Sequence, residues 1–233
     1  MRINGFLGVS LIDYPGKVCS IIYTSPCNFR CPYCHNKELV GAGEEVVEEE
    51  KALADIGERK DFIDAVSITG GEPTLHKGLL DFMAEVKNMG MLVKLDTNGS
   101  NPGMIKKALE HGLLDYIAMD IKAGKDNYNR AAGVKVNFES IEAAIEIIMN
   151  SGKDYEFRTT VVPGIIDRRE LEDIGEIING AACFTIQQFE NRETLDSAYN
   201  NVEPYAESEL EKFRDIMSGY AKKVKIANTP AVV

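Results

Sequence analysis

Three of the chain's five cysteines lie close together in the stretch CNFRCPYCHN, residues 27–36. Their spacing is Cys27-x3-Cys31-x2-Cys34. Closely spaced thiols can form a disulfide, bind zinc together with a fourth ligand, or hold an iron–sulfur cluster. A disulfide fits poorly, because a chain of 233 residues can bury a full hydrophobic core and needs no covalent cross-link.

The remaining candidate ligands do not readily complete a zinc site, which takes four. His35 directly follows Cys34 and is too close in sequence to complete a tetrahedron easily. Cys19 and Cys183 lie singly in apolar runs that predict buried strands, where a cysteine is typically a small hydrophobic residue. Three thiolates on a [4Fe–4S] cluster leave one iron open, and an open coordination position is typical of a reactive site.

Composition excludes some classes of partner. The chain carries a net charge of −11, which disfavours a nucleic-acid backbone or an anionic membrane as the main partner. Its N-terminus has no signal-peptide pattern, and no apolar run approaches the roughly 18 residues of a membrane helix. We therefore expect a cytoplasmic protein, which further disfavours a disulfide.

Short β-branched runs alternate with amphipathic helical patterns along the whole chain. Strands are predicted over 17–24, 64–69, 91–96, 115–122, 155–162, 183–189 and 224–227, and helices over 47–60, 78–90, 103–112, 139–152, 168–180 and 206–222. This alternation predicts an α/β fold with a parallel sheet and helices outside, as a doubly wound sheet or a partial barrel. We expect one domain, 1–233, with a short N-terminal extension over 1–16 and a C-terminal helix and strand over about 204–233.

Polar or special residues follow each predicted strand, where parallel sheets bind their ligands. GGEP (Gly70 to Pro73) follows the second strand and DTNG (Asp96 to Gly99) the third. MDIK (Met119 to Lys122) ends the fourth, and the fifth carries Arg158. We expect these residues to share one rim with the cysteines. There the glycines allow close backbone approach and Glu72 can meet an ammonium group.

The cysteine spacing, with Tyr33 before the last cysteine and GGEP downstream, resembles the radical S-adenosylmethionine superfamily. The resemblance implies a partial (β/α)6 TIM-like barrel whose Cys27, Cys31 and Cys34 hold a [4Fe–4S] cluster. It also implies that S-adenosylmethionine binds the open iron and is cleaved by one electron to methionine and a 5′-deoxyadenosyl radical. Gly70, Gly71 and Glu72 would hold the methionine amino group.

The stretches SLIDYPGK, DTNG, MDIK and RTTVVPG add a resemblance to the glycyl-radical-enzyme activating enzymes, especially those of anaerobic ribonucleoside-triphosphate reductase. This implies hydrogen abstraction from a glycine of a partner enzyme, with a reductant such as flavodoxin or ferredoxin. The implied cofactor contacts are Tyr33, Cys34, His35, Asn98, Asp120, Lys122 and Arg158. Some activases bind a monovalent cation at positions that match Asp96, Thr97, Met119 and Asp120.

Two features depart from the activase pattern. Several activases have a histidine after the sixth strand, where this chain has QQFEN, and some carry a cysteine-rich insert that is absent here. Two other functions stay open: a superfamily enzyme acting on a small molecule such as a nucleoside precursor, and a non-catalytic metal-binding interaction protein.

The segments outside the predicted helices and strands bear on the choice of substrate. They are 1–16, 123–138 and 191–201, and we expect them to be too short to seal a pocket, which favours a protein substrate. The charge run EEVVEEEK (44–51) is expected to be a solvated helix start, and His76 and His111 are expected to be structural.

Overall fold

The computed structural model describes residues 1–41 and 47–228, and these ranges contain one eight-stranded sheet whose strands lie in chain order. The strands are β1 Ile3–Ser10, β2 Cys19–Thr24, β3 Ala65–Gly70, β4 Leu92–Thr97, β5 Tyr116–Asp120, β6 Asp154–Val161, β7 Phe184–Gln188 and β8 Val224–Asn228. β1 pairs antiparallel with β2, and every later neighbouring pair is parallel. The predicted α/β partial barrel is confirmed.

Helices connect the parallel strands. They are α1 Lys37–Val40, α2 Glu49–Gly57, α3 Leu79–Asn88, α4 Pro102–Glu110, α5 Tyr128–Ala132, α6 Phe138–Met149, α7 Arg168–Ile177 and α8 Glu207–Met217. The side chains of Asn101 and Asp167 cap α4 and α7 by accepting hydrogen bonds from backbone amides of the first turn. None of the helices in the described ranges has the length and apolarity needed to cross a lipid bilayer.

All seven predicted strands and six predicted helices are present, but three elements were missed. The expected extension 1–16 contains β1, whose two glycines and irregular register against β2 obscure the strand pattern. The short helix α5 lies in segment 123–138, which was predicted as a loop, and α1 lies where no element was predicted. Residues 44–46 of the charge run and 229–233 of the expected C-terminal segment lie outside the described residues.

Both faces of the sheet are buried, but their chemistry differs. On β4, Val93 and Leu95 join the main hydrophobic core under the helices, whereas Lys94 and Asp96 face the concave side. At the amino ends of the strands the concave side is closed by a small cluster around Tyr14, whose ring lies 5.6 Å from that of Tyr116. The open part of the barrel therefore lies at the carboxyl ends.

Candidate active site

A cavity of about 770 Å³ lies at the carboxyl ends of the strands, a volume suited to a cofactor-sized ligand. Nearly every residue predicted for the site lines it: Cys27, Cys31, Tyr33, Cys34, His35, Gly70, Gly71, Asp96, Thr97, Asn98, Asp120, Lys122 and Arg158. Glu72 and Met119 do not line it. Cys19 and Cys183 are buried and also lie outside the lining.

The three lining cysteines share the tight loop between β2 and α1, which we call the cysteine loop (residues 27–36). The amide of Cys34 donates to the carbonyl of Cys31 at 3.0 Å, and the amide of Phe29 donates to Cys27 Sγ at 3.4 Å. Burial raises the pKa of the Cys31 thiol to about 12. In the described part of the chain, no three Cys, His, Asp or Glu side chains are placed to hold a single metal ion. In an iron–sulfur cluster each thiolate would bind its own iron.

The glycines of GGEP allow β3 to approach the start of the cysteine loop. Gly70 has a φ of 108°, and an added Cβ would lie 2.4 Å from the backbone nitrogen of Thr24. A Cβ on Gly71 would lie 2.6 Å from the carbonyl oxygen of Pro26 and 2.9 Å from the amide nitrogen of Cys27. Any side chain at either position would displace the backbone that carries Cys27.

Glu72 is fully buried behind the cavity, and its carboxylate is occupied by protein donors. Oε1 accepts from the amide of Thr74 at 3.1 Å, from the Thr74 hydroxyl, and from the Thr97 hydroxyl at 2.8 Å. Oε2 accepts from the amide of Asn98 at 2.7 Å. Burial raises the pKa of Glu72 above its ordinary value. The structure thus places this carboxylate as a brace between two strand-end turns. Its contact with the ammonium group of the cofactor stays a prediction.

Asn98 connects Glu72 to the cysteine loop by hydrogen bonds. Its side-chain amide donates to Asn28 Oδ1 at 2.9 Å, and Asn28 in turn donates to the Ser100 hydroxyl at 2.8 Å. Gly99 has a φ of 77°, and a Cβ there would meet the Met119 side chain at 2.0 Å. Met119 therefore packs beneath this turn, with its side chain turned away from the cavity.

Five charged side chains form a continuous chain of ion pairs across the cavity wall. Arg158 joins two carboxylates: Nη1 contacts Asp96 Oδ2 at 3.1 Å and Nε donates to Asp120 Oδ1 at 2.8 Å. Lys122 contacts Asp120 Oδ2 at 3.1 Å, and Lys94 contacts Asp96 Oδ1. The five side chains together carry a net charge of +1, and two of the three cations, Lys122 and Arg158, line the cavity, where they suit an anionic ligand group such as a carboxylate.

The ion pairs also set the protonation of the wall. Burial alone would raise the pKa of Asp120, but Arg158 and Lys122 outweigh it and lower the pKa to about 2. Burial would lower the pKa of Lys122, but the adjacent Asp120 carboxylate raises it well above its ordinary value. Asp120 and Lys122 are therefore both charged at neutral pH.

The four residues expected at a monovalent cation do not form a free set of oxygen ligands. Both carboxylates, Asp96 and Asp120, already bind Arg158, while the Thr97 hydroxyl donates to Glu72. Lys94, which sequence reasoning missed, adds a second cation to Asp96 and is 2% exposed. A lysine two residues before Asp96 in a predicted buried strand was the available signal, since an unpaired buried lysine is rare.

The segment after β7 lies directly on the cysteine loop. The amides of Leu195 and Asp196 donate to the carbonyls of Cys34 and Pro32 at 2.9 and 2.8 Å. His35 Nδ1 lies 2.8 Å from the carbonyl oxygen of Arg192, which leaves its Nε2 without a protein hydrogen-bond partner in the described residues. Segment 191–201, which was expected to be too short to seal a pocket, therefore also covers the cysteine loop. His35 stands beside Phe189, close to where activases carry the histidine that this chain lacks.

An open parallel α/β barrel with three thiols, a glycine cradle and a charged wall at the carboxyl ends of its strands defines a cofactor-dependent class of enzymes. The model of the Radical SAM superfamily matches residues 21–178. The chain belongs to this superfamily. Its cofactors are accordingly a [4Fe–4S] cluster and S-adenosylmethionine, and three thiols around a shared cavity fit a cluster with one open iron.

Curated relatives include two activating enzymes. A Methanocaldococcus jannaschii protein, whose name assigns it provisionally to the glycyl-radical enzyme activating enzymes, is 33% identical over 96% of this chain and 95% of its own length. The pyruvate formate-lyase-activating enzyme of Staphylococcus aureus is 29% identical over 77% of this chain and 75% of its own. GTP 3′,8-cyclase of Helicobacter pylori is 29% identical over 70% of this chain and 53% of its own.

Solved structures match the fold at lower identity. TYW1 with a lysine-pyruvate adduct bound has a TM-score of 0.64 at 18% identity, over 86% of this chain and 72% of its own. Streptococcus suis SuiB bound to S-adenosylmethionine has a TM-score of 0.66 at 14% identity, over 91% of this chain and 50% of its own. At these identities the likeness establishes the fold.

Proposed function

We propose that this protein is a glycyl-radical-enzyme activase, acting on a partner enzyme of the anaerobic ribonucleotide reductase type. The observation that carries the proposal is the likeness to the Methanocaldococcus jannaschii protein, which extends over nearly the full length of both chains. The motifs SLIDYPGK, MDIK and RTTVVPG support it. We propose the whole of 1–233 as one radical SAM domain, and an external reductant such as flavodoxin or ferredoxin as the second partner.

In this proposal the site residues have three roles: holding the cluster, lining the cofactor cavity and positioning the strand-end turns. Cys27, Cys31 and Cys34 hold the cluster, and the open iron leaves room for S-adenosylmethionine, which when bound supplies a 5′-deoxyadenosyl radical for hydrogen abstraction. The backbone of Gly70 and Gly71 lines the adjacent wall of the cavity. Glu72 positions the turns on which Thr97 and Asn98 lie.

The charged wall and the cysteine loop complete the cofactor site. Lys122 and Arg158 attract the carboxylate of the methionine moiety, and Asp120 orients both of them through its ion pairs. Tyr33 and His35 lie beside the cluster. His35 lines the cavity, and its Nε2 has no hydrogen-bond partner among the described residues. We retain the monovalent cation at Asp96, Thr97, Met119 and Asp120 only for a rearranged wall in which Arg158 releases both carboxylates.

A second candidate function is turnover of a small molecule. The likeness to GTP 3′,8-cyclase favours it, and a cavity of about 770 Å³ has room for a nucleotide-sized substrate. That likeness covers 53% of the cyclase, so it is confined to the region that the two chains share.

An anaerobic assay separates the two functions. Reconstituted protein, S-adenosylmethionine and dithionite are mixed with a candidate anaerobic ribonucleotide reductase subunit. We expect a glycyl-radical doublet in the electron paramagnetic resonance spectrum and 5′-deoxyadenosine stoichiometric with it. The matched control is the same subunit with its radical glycine changed to alanine, which should give no doublet. Multiple turnover of a nucleoside without any partner protein would refute the activase function.

A further inference from the structure

The surface over the cysteine loop is basic, although the protein as a whole is strongly acidic. Segments 27–37 and 121–136 together contain six basic side chains and one acidic side chain, a net charge of +5. Because the whole chain carries −11, all other residues together carry −16. Five of the six basic side chains are exposed: Arg30, Lys37, Lys125, Arg130 and Lys135. Lys125 pairs with Glu142 at 3.7 Å, and the sixth, Lys122, pairs with Asp120 in the cavity wall.

These two segments are one structural unit, although about a hundred residues separate them in the sequence. The amide of Arg30 donates to the carbonyl of Ala132 at 2.8 Å, and a Cβ on Gly133 would lie 2.0 Å from the carbonyl oxygen of Arg30. Asn129 Oδ1 accepts from the amide of Val136 at 2.7 Å, which closes the loop that carries Arg130 and Lys135. The charges of α5 and its following loop are thereby held against the cysteine loop.

Aromatic side chains connect α5 to the cysteine loop. The Tyr128 ring lies 5.3 Å from that of Phe138 and 6.5 Å from that of Phe29, which stands between Cys27 and Cys31. The guanidinium of Arg30 spreads over the same loop and donates to the carbonyls of Cys27 and Phe29 at 2.6 and 2.8 Å. A protein docked here would rest directly over the ligands of the cluster.

We propose that this basic surface, Arg30, Arg130 and Lys135 with Lys37 and Lys125 at its margin, docks an acidic one-electron carrier protein that reduces the cluster. Cleavage of S-adenosylmethionine consumes one electron, which the proposed function assigns to an external reductant. The carrier is oxidised by one electron and the cluster is reduced by one, with no bond made or broken. Charge complementarity favours an acidic carrier protein, because the acidic remainder of this protein repels it and the basic surface attracts it.

The inference rests on the part of the proposed function that requires an external reductant, and it is independent of the final substrate.

The test variant is Arg130→Glu/Lys135→Glu, since neither side chain forms an ion pair in the described residues and neither lines the cavity. The matched control is Lys106→Glu/Lys212→Glu, which changes the net charge equally at exposed positions on α4 and α8.

The assay uses an acidic flavodoxin as the probe, without S-adenosylmethionine or any glycyl-radical enzyme. Stopped-flow absorbance follows cluster reduction by flavodoxin hydroquinone, and calorimetry follows binding of oxidised flavodoxin to the cluster-free protein. We expect the test variant to lower the second-order rate constant at least tenfold at about 10 mM salt, with the difference vanishing near 1 M, because salt screens surface charges. Reduction by the methyl viologen radical, a small cation, should not slow.

Equal rate constants and affinities for the test and control variants would overturn the inference. So would a test variant that binds flavodoxin normally but loses binding to the glycyl-radical partner, because the surface would then serve the protein substrate. Neither result would contradict the proposed activase function, because the assay for that function uses dithionite as the reductant and needs no carrier protein.

Discussion

Replacing Glu72 with glutamine tests whether this residue of GGEP acts as a brace or as a ligand for the cofactor. The carboxylate accepts three hydrogen bonds at Oε1 and one at Oε2. A glutamine amide keeps only one acceptor oxygen. Its best orientation leaves the oxygen toward Thr74 and Thr97 and turns the NH2 group toward the amide of Asn98, which then has no acceptor.

The loss amounts to one charge-assisted hydrogen bond in a fully buried position, about 1.5–3 kcal/mol. For a chain of this size, 1 kcal/mol corresponds to roughly 2–4 °C in melting temperature, so the cluster-free Glu72→Gln protein should melt about 3–12 °C below wild type. The displaced Asn98 turn should also weaken binding of S-adenosylmethionine to the reconstituted protein, because Asn98 lines the cavity.

Calorimetry of the cluster-free protein measures the first effect, and equilibrium binding of S-adenosylmethionine measures the second. Glu170→Gln is the matched control, because Glu170 is another buried glutamate that accepts from a backbone amide, that of Gly124, at 2.9 Å. It does not line the cavity. We expect this control to lose comparable stability and to keep its cofactor affinity.

A Glu72→Gln protein that melts within 1 °C of wild type, yet binds S-adenosylmethionine tenfold more weakly, would refute the reasoning. The carboxylate would then act on the cofactor itself, as the sequence suggested.

Three further predictions concern the cluster and the charged wall. Alanine at Cys27, Cys31 or Cys34 should abolish the cluster, while alanine at Cys19 or Cys183 should not; a full iron load in Cys31→Ala, measured per protein chain, would contradict the ligand assignment. Gly71→Ala should lower iron content by displacing Cys27, whereas Gly57→Ala, which meets nothing within 4 Å, should leave it unchanged; equal iron content in both variants would contradict the close approach seen at Gly71. The pKa of Asp120 is lowered to about 2 in the folded protein, so its ion pairs stabilise the fold by roughly 2 kcal/mol above the unfolded-state pKa of about 4. This stabilisation is lost as pH falls from about 4 toward 2, so the free energy of unfolding in urea, measured on the cluster-free protein, should depend less on pH in Asp120→Asn. Identical pH dependence in the variant and wild type would contradict this role of Asp120.

Periodicity predicted most of the fold, because the parallel strands carry uninterrupted apolar runs and are separated by amphipathic helices. It failed at β1, where Gly5 and Gly8 interrupt the pattern and where pairing with β2 is what defines the strand. α5 was missed because its five residues are stabilised by contacts with the cysteine loop, such as the hydrogen bond from Arg30 to Ala132. No local pattern encodes such a contact.

The rule that ligands gather at the carboxyl ends of parallel strands predicted that the site residues would meet, and nearly all of them line one cavity. It could not foresee which way a side chain turns. Glu72 follows β3 as expected, but Thr74, Thr97 and Asn98 supply it with four donors on the far side of the cavity wall. Lys94 was missed because it lies within β4, whereas the rule concerns residues that follow a strand.

The hydrogen bonds that join Leu195 and Asp196 to the cysteine loop have a consequence for biosynthesis. The loop emerges early from the ribosome, whereas its cover is made 157 residues later, counted from His35 to Arg192. At typical elongation rates of 5–20 residues per second, the cysteines wait about 8–30 s without that cover. Delivery of iron and sulfide by an assembly protein therefore has a window in which the loop is open on the side that the finished protein closes.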